Sequence, residues 1–413
     1  MHPAQDQPSA TVYRWLVIGL WLLCSVTGFM VAATIGIMLP AISSDLDLSP
    51  GQQGMLGSSA FWGNLALAVP LSWWTSRYGP KILTSVTLTA GTAVIFLQSW
   101  APSFMVLLAG RLAFGITVIA RQPAQAVLTQ QWFRRREIVM VNSLSNALFG
   151  MVVGGGLAGS PIILASLGDD WRTTFRTFGV LFAALTALWI VLGSERQGAP
   201  QAGRREGLSL GALRRTLSYR DLWIVGLGFT GATGAWSAFL AFYPTLMLDV
   251  HQMSLKVSGG ALALGVVTGG AAGLVFGYAV MTSGRGNTYL KLQGLLMAGT
   301  YAAMTLTGST WLAVLLNFLN GVAWGFWPIL YTVPFHLRGI QPGQVPVALA
   351  FTLTMVSAGT TLGPLATGFM QEAFGGPGWP LFIVGLSPLT LTLAGTLLPT
   401  IAGGRSSRPP SGE

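Results

Sequence analysis

Apolar stretches long enough to cross a membrane recur along this chain, with only short polar interruptions between them. The first begins near Trp15 and the last ends near Thr400. A helix needs roughly 20 residues to cross a hydrocarbon core of about 30 Å. Counted on that basis, the pattern contains about twelve such stretches and predicts an all-α membrane protein with twelve transmembrane helices.

The longest polar interruption falls near the middle of the chain and contains glycine, proline and mostly positive charges. This composition is typical of a linker rather than of a packed element. The pattern therefore predicts two bundles of six helices joined by a cytoplasmic linker. The expected boundaries are residues 1–195 for the first bundle, 196–220 for the linker, 221–402 for the second bundle and 403–413 for a cytoplasmic tail.

Sequence landmarks in the two predicted bundles repeat in the same order. Three proline pairs are separated by 203 to 205 residues, namely Pro40 with Pro244, Pro123 with Pro328, and Pro161 with Pro364. Segment 72–81 also aligns with segment 277–286 at a separation of 205. These matches indicate a duplicated unit. A parallel repeat of this kind places the substrate site between the halves, near the middle of the membrane.

The composition excludes a soluble protein. The chain is 52% hydrophobic and 8% charged, with a mean hydropathy of +0.62, whereas soluble domains carry roughly a quarter charged residues. The single cysteine, Cys24, lies in the first apolar stretch and excludes a disulfide framework. That stretch is too long for the apolar region of a cleavable signal, so we expect it to be a retained helix.

The net charge of +10 reflects topology rather than nucleic-acid binding. With the N-terminus inside, 17 of the 22 Lys and Arg residues fall on cytoplasmic segments, which is the positive-inside bias of a multi-pass protein. Arg172, Arg176 and Lys256 fall outside, and Arg111 and Arg121 fall within a helix. We therefore expect an inner-membrane protein with both termini in the cytoplasm, surrounded by lipid and monomeric.

The loop after the second predicted helix carries a recognisable motif. Segment 72–81 reads SWWTSRYGPK and resembles the G-x-x-x-D-R-x-G-R-R loop of the major facilitator superfamily. Arg77, Gly79 and Lys81 match that pattern. Ser76 stands where the family has Asp, so a charge relay through that position is not expected here.

Three further segments carry the same resemblance. The fourth helix reads RLAFG at 111–115, with Pro123 following. The eleventh helix reads GTTLGPLATG at 359–368 and is close to the family's G-x-x-x-G-P-x-x-G-G pattern. The fifth contains GMVVGGG at 150–156, a looser version of that pattern. On these residues the chain is identified as a member of the major facilitator superfamily. The resemblance implies two pseudo-symmetric six-helix bundles and transport by alternating access.

The same motifs supply candidates for gating. Small residues spaced by four let helices approach closely in lipid, so their role is either close packing or a rocking hinge. The candidate gating and conformational residues are Arg77, Gly79, Gly154, Gly359, Gly363 and Pro364. We expect the Arg77 guanidinium to pair with a helix end such as Glu137 or with backbone carbonyls.

Two arginines in the fourth helix carry the strongest chemical signal. A charge at bilayer depth costs about 2.5 to 3.5 kcal/mol even on the insertion scale, and all twelve acidic residues fall in tails, loops or helix ends. A guanidinium presents a planar fork suited to carboxylate oxygens. Arg111 and Arg121 therefore predict an anionic substrate. Pairing with carbonyls, a water-filled vestibule and a gating role remain open alternatives.

Polar and aromatic residues at mid-helix depth complete the predicted substrate site. Pairs spaced by three or four residues share a helix face, although interhelical hydrogen bonding and core packing explain such residues equally well. These candidates are Trp62, Asn142, Asn146, Trp236, Tyr243, Asn317, Asn320 and Trp324.

We interpret the chain as a secondary active transporter that moves a small, carboxylate-like organic anion across the cytoplasmic membrane by alternating access. A proton-coupled exporter of amphipathic drugs or metabolites is the first alternative, weakened by the absence of a membrane-embedded acid. A transporter-like sensor or assembly factor is the second. His2, His251 and His336 are scattered, and no metal site, cofactor, nucleophile or enzymatic activity is expected.

Overall fold

The computed structural model describes residues 8–75, 77–134, 137–195, 210–335, 340–341 and 344–398. Every regular element in these ranges is a helix. Ten apolar helical segments are long enough to cross a membrane, and α3 with 26 residues and α11 with 21 residues complete twelve crossings. The predicted all-α, twelve-helix fold is therefore confirmed.

The first half contains seven helices that make six crossings, because the first crossing is interrupted. Their bounds are α1 Pro8–Ala33, α2 Ile35–Leu46, α3 Pro50–Thr75, α4 Pro80–Ser99, α5 Phe104–Trp132, α6 Ile138–Ser166 and α7 Trp171–Leu192. The interruption lies at Thr34, whose carbonyl accepts a hydrogen bond from the Ile37 amide at 3.1 Å. Pro40 follows inside α2 and removes a further backbone donor.

The second half makes six more crossings. Its helices are α8 Leu210–Leu217, α9 Arg220–Asp249, α10 Leu255–Ser283, α11 Gly286–Leu306, α12 Thr310–Ala323, α13 Trp327–Thr332, α14 Val345–Phe374, α15 Gly378–Gly385 and α16 Leu389–Leu397. A 3₁₀ turn at residues 324–326 connects α12 to α13, and another at residues 333–335 follows α13. Here the first crossing of the half is continuous, whereas the tenth is interrupted between α12 and α13 and the twelfth between α15 and α16.

Most of the predicted linker lies outside the described residues, as does the predicted tail 403–413. Residues 210–217 of the linker form the short helix α8, with Arg214 and Arg215 in its last turn. Thr216 of α8 is fully buried, so this part of the linker packs against the second half. The boundaries between the bundles and the linker remain predictions.

The two halves meet along α3 with α14, α6 with α10, and α2 with α9. Glycines permit this contact, because a Cβ on Gly36 would lie 1.9 Å from the Leu240 carbonyl oxygen and a Cβ on Gly54 would lie 2.5 Å from that of Pro364. No side chain fits in either place. The backbones of the two halves therefore touch directly at this level.

One carboxylate links the two halves at the level where α2 and α14 end and α3 begins. Glu372 of α14 accepts a hydrogen bond from the Ser49 hydroxyl at 2.8 Å and another from the Gly51 amide at 3.0 Å. Gly51 lies in the first turn of α3, where unpaired amides and the helix dipole favour a negative charge. We call this end of the molecule the closed end.

Candidate substrate site between the halves

Arg111 on α5 is fully enclosed, with 1% of its surface exposed. Its Nε donates a hydrogen bond to the Leu56 carbonyl at 3.2 Å, and its Nη2 donates one to the Ala32 carbonyl at 3.0 Å. Ala32 lies in the last turn of α1, where helical carbonyls have no partner within the helix. The break at Thr34 therefore creates an acceptor, and Arg111 satisfies it.

Arg121 on the same helix is also fully buried, but its surroundings are different. None of its three guanidine nitrogens makes a hydrogen bond to any described residue. The guanidinium lies against α1, where a Cβ on Gly28 would be 2.9 Å from Nη2, and its central carbon is 6.0 Å from the centre of the Phe182 ring on α7. It is thus a buried cation near an aromatic ring and the Cys24 thiol, without a hydrogen bond to the described residues.

No acidic residue in the described part of the chain lies at the depth of these two arginines. The nine described acids all occupy helix ends or the loops between helices, and they are Asp45, Asp47, Glu137, Asp169, Asp170, Glu195, Asp221, Asp249 and Glu372. An unpaired cation at membrane depth attracts an anion from outside the protein, because the alternative is an uncompensated buried charge.

Five rings from both halves form an aromatic cluster, which consists of Phe29, Phe61, Phe149, Trp236 and Trp324. Phe29 on α1 lies at its centre, with ring centroids 5.9 Å from Phe61, 5.1 Å from Phe149 and 6.0 Å from Trp236. Trp236 on α9 lies 5.8 Å from Trp324. The stacked pair of Phe29 and Trp236 joins the first half to the second.

The cluster includes two of the predicted site residues, Trp236 and Trp324. Its three phenylalanines were not predicted, because phenylalanine is common in any membrane helix and its side chain carries no polar atom that would make it stand out. Gly28, next to Phe29 on α1, contacts the Arg121 guanidinium. Arg121 of α5 therefore lies against α1 at the residue that precedes Phe29, the central ring of the cluster.

The other polar candidates use their side-chain donors locally. Trp62 donates to the Ser58 hydroxyl at 2.8 Å, Asn317 to the Ala313 carbonyl at 2.9 Å, and Asn320 to the Thr300 hydroxyl at 2.9 Å. The first two bonds lie within a helix, and the third joins α12 to α11. The Asn320 bond is an interhelical hydrogen bond, which is the alternative to substrate contact given above for the asparagines.

Tyr243, Asn142 and Asn146 are placed differently from one another. Tyr243 on α9 is fully buried, with its hydroxyl beside the Asn317 side chain. Asn142 and Asn146 on α6 are exposed. The structure thus brings only part of the predicted set together, and substrate contact by these residues remains a prediction.

The glycine candidates divide into two groups by their neighbours. Gly154 faces the other half, where a Cβ would lie 2.9 Å from Val267 of α10, and Pro364 lies against Gly54 of α3. Gly359 and Gly363 face α9 of their own half, where a Cβ would lie 2.2 Å from the Thr233 hydroxyl or 2.0 Å from the Gly234 carbonyl. These last two positions fit close packing, whereas Gly154 and Pro364 lie where the halves would move.

The Glu195 carboxylate, which the sequence analysis did not single out, contacts the end of the loop motif at Gly79 and Lys81. Glu195, just after α7, accepts a hydrogen bond from the Lys81 amide at 3.0 Å in the first turn of α4. A Cβ on Gly79 would lie 2.6 Å from the Glu195 carboxylate, so a larger residue there would displace that carboxylate. Arg77 is exposed in the same loop.

Glu137, the predicted partner of Arg77, is held by a different arginine. Its carboxylate pairs with Arg14 at 3.0 Å, and its pKa lies below the usual range because of hydrogen bonds from the Arg134 amide and from Arg14. This pair joins the beginning of α1 to the beginning of α6 within the first half. A link between Arg77 and carbonyls remains a prediction.

Comparisons with known proteins agree with the fold. The chain is similar to the probable galactarate/D-glucarate transporter GarP of Escherichia coli (strain K12), with 23% identity covering 91% of this chain and 92% of the relative. It is also similar to the probable galactarate/D-glucarate transporter GudP of Bacillus subtilis (strain 168), with 22% identity covering 94% and 92%.

Among solved structures, the chain resembles a bacterial homolog of the human lysosomal transporter Spinster in an inward-facing, unoccupied conformation. The TM-score is 0.74 with 18% identity, over 93% of this chain and 94% of the other, which establishes the fold. The sequence profile of the Major Facilitator Superfamily matches residues 21–339. This multi-pass membrane protein is therefore a transporter-type chain rather than an enzyme, and it belongs to the major facilitator superfamily.

Proposed function

We propose that the protein is a secondary active transporter that moves a small organic anion with a carboxylate group by alternating access. The observation that carries this proposal is the pair of fully buried guanidinium groups of Arg111 and Arg121, with no carboxylate at their depth in the described residues. The relatives named as galactarate/D-glucarate transporters support an organic acid as the substrate class.

Arg121 is the better candidate for recognising the anion. Arg111 already donates to two carbonyls, whereas the donors of Arg121 have no hydrogen-bond partner in the described chain. A guanidinium binds a carboxylate through two parallel hydrogen bonds. In the proposed cycle, a shift of α1 at Gly28 opens the guanidinium to the space between the halves.

The proposed orientation places both termini in the cytoplasm and the closed end at the outer surface of the cytoplasmic membrane. The basic residues support this orientation through their predominance on the opposite loops. A reporter that is active only in the periplasm, fused after Glu413, should then be inactive. Reporter activity at that position would contradict the orientation while leaving the transport proposal untouched.

The transport proposal can be tested by counterflow in proteoliposomes. Purified protein is reconstituted and offered a panel of labelled mono- and dicarboxylates, with cationic dyes as the contrasting set. Wild-type protein should accumulate at least one anion, and the Arg121→Met variant should not. Accumulation of a dye without any anion would contradict the proposal and favour a drug exporter.

A further inference from the structure

We infer that the transported anion carries one carboxylate on a planar apolar body, so that an aromatic monocarboxylate fits better than a hydroxylated sugar acid. This inference rests on the proposed function and narrows its substrate class. It follows from three features of the space between the halves: the aromatic cluster, the apolar side chains around a small cavity beside it, and the single guanidinium at membrane depth without a hydrogen bond to the described residues.

The aromatic cluster offers ring surface to a ligand. Phe29, Phe149, Trp236 and Trp324 are each only partly buried, although they lie where the halves meet. Trp236 belongs to α9, the most deeply buried of the candidate spans, so its exposed part faces the space between the halves rather than lipid. Aromatic rings stack favourably at centroid distances of about 4.5 to 7 Å. A planar ligand can therefore be held by its faces here.

The side chains that line a small cavity beside the cluster are apolar except for one serine. Its lining residues are Ala32, Ala33, Ile35, Gly57, Phe61, Ser237, Leu240 and Ala241. Ser237 supplies the only side-chain polar atom in that lining, and its hydroxyl donates to the Gly234 carbonyl at 3.1 Å. A hydroxyl transferred from water into such a place without a partner costs roughly 1 to 3 kcal/mol.

Three of the polar candidates already donate hydrogen bonds within the protein. Trp62, Asn317 and Asn320 each donate to a protein oxygen at 2.8 to 2.9 Å. Galactarate and D-glucarate are dicarboxylates with several hydroxyls, and their recognition needs many convergent polar groups. The described residues offer one guanidinium at membrane depth without a hydrogen bond, that of Arg121. A single carboxylate matches that charge.

The inference is tested by counterflow with 4-hydroxybenzoate and phenylacetate as aromatic probes and galactarate and D-glucarate as sugar-acid probes. Protein-free liposomes measure passive entry of the weak acids. The aromatic acids should be transported and the sugar acids should not. Preference for the sugar acids, or equal transport of both sets, would overturn the inference and leave the proposed function standing. Failure to transport any anion, with accumulation of a dye, would instead defeat the proposed function.

Variants then locate the ring-binding surface. Trp236→Leu should raise the apparent KM for the aromatic acids about two- to tenfold, as expected for the loss of one stacking contact, and Trp236→Phe should largely restore it. Trp311→Leu is the matched control, because Trp311 is 75% exposed and lies outside the cluster. Size-exclusion profiles establish that each variant is folded. An unchanged KM in folded Trp236→Leu protein would overturn the assignment of the cluster as the binding surface.

Discussion

The fourth and tenth crossings occupy equivalent places in the sequence repeat, yet they differ in shape and chemistry. The fourth is the continuous helix α5, whereas the tenth is divided into α12, a 3₁₀ turn and α13. The residues 205 positions after Arg111 and Arg121 are Leu316 and Phe326, both buried and apolar. The first half thus has arginines at these two positions, and the second half has an apolar and an aromatic side chain at the equivalent positions.

This difference suggests a division of labour between the halves. In our proposal the first half binds the carboxylate through Arg121, and Trp236 and Trp324 of the second half contact the apolar body. Alternating access then acts on a ligand held from both sides, since the substrate lies where the two repeats meet. Closure of the halves and recognition of the ligand would depend on the same surface.

The first prediction concerns Arg111, whose role we assign to structure. Arg111→Met removes the donors to the Ala32 and Leu56 carbonyls at the break in the first crossing. Two buried acceptors without partners cost about 2 to 6 kcal/mol together. We expect a large drop in the thermal unfolding temperature in detergent, or loss of folded protein. A variant as stable as the wild type would show that these carbonyls do not need the arginine.

The second prediction applies the same substitution to Arg121. Arg121→Met removes a buried charge without a hydrogen-bond partner, so the unfolding temperature should stay the same or rise, while anion transport should be lost. One charge-assisted hydrogen bond contributes about 1.5 to 3 kcal/mol, which corresponds to a tenfold to more than hundredfold loss of affinity.

Arg121→Lys separates charge from geometry. It should retain weak transport if recognition depends only on charge, and almost none if recognition is bidentate. If substrate affinity and transport rate are unchanged in Arg121→Met, Arg121 does not bind the anion, and the anion site would have to be assigned to Arg111. The two methionine variants serve as controls for each other, because they make the same chemical change on one helix.

The sequence was sufficient to find both arginines, because a charge in an apolar helix stands out against the hydropathy pattern. It was not sufficient to distinguish them. One of the two carbonyls that bind Arg111, that of Ala32, lacks a helical partner because the first crossing is broken at Thr34. Position 34 holds neither proline nor glycine, so nothing in the sequence indicates that break. Whether a buried cation is paired depends on where neighbouring backbones end, which is a property of the packed bundle.

The repeat was also visible in the sequence, but the sequence did not show how its two copies differ in structure. Pro123 and Pro328 align in the sequence, but the first lies inside a continuous helix and the second begins the short helix α13. The same residue type thus has different consequences in different surroundings. The contact of Glu372 with the start of α3 was also out of reach, because it joins residues 321 and 323 positions apart.

The third prediction tests whether the amides of the tenth crossing serve structure. Asn320→Leu removes one interhelical hydrogen bond, to Thr300 of α11, and should cost about 0.6 to 1 kcal/mol. We expect a slightly lower unfolding temperature and unchanged substrate affinity. In a double-mutant cycle with Thr300→Val, the two effects should not add, since both variants remove the same bond. A fall in affinity without a change in stability would assign Asn320 to the substrate instead.

The fourth prediction, with the smallest expected effect, concerns the contact that brings the two halves together. Glu372→Gln keeps an oxygen that can accept from Ser49 and Gly51 but removes the negative charge from the start of α3. A charge at a helix N-terminus contributes about 0.3 to 1 kcal/mol, so the balance between closed and open forms should shift about two- to fivefold toward opening. The shift can be measured as the rate at which a cysteine introduced near the closed end reacts with a membrane-impermeant thiol reagent, in a Cys24→Ser background.

Asp47→Asn is the matched control for Glu372→Gln. Asp47 lies in the same loop as Ser49 and has a left-handed backbone conformation, with φ of 48°, which asparagine tolerates well. The control removes an equal charge without touching the contact between Glu372 and the first turn of α3. If both variants accelerate labelling equally, the effect comes from the loss of negative charge at this end of the molecule and not from the contact of Glu372 with α3. A selective effect of Glu372→Gln would show that this carboxylate helps to hold the charged first half against the aromatic second half.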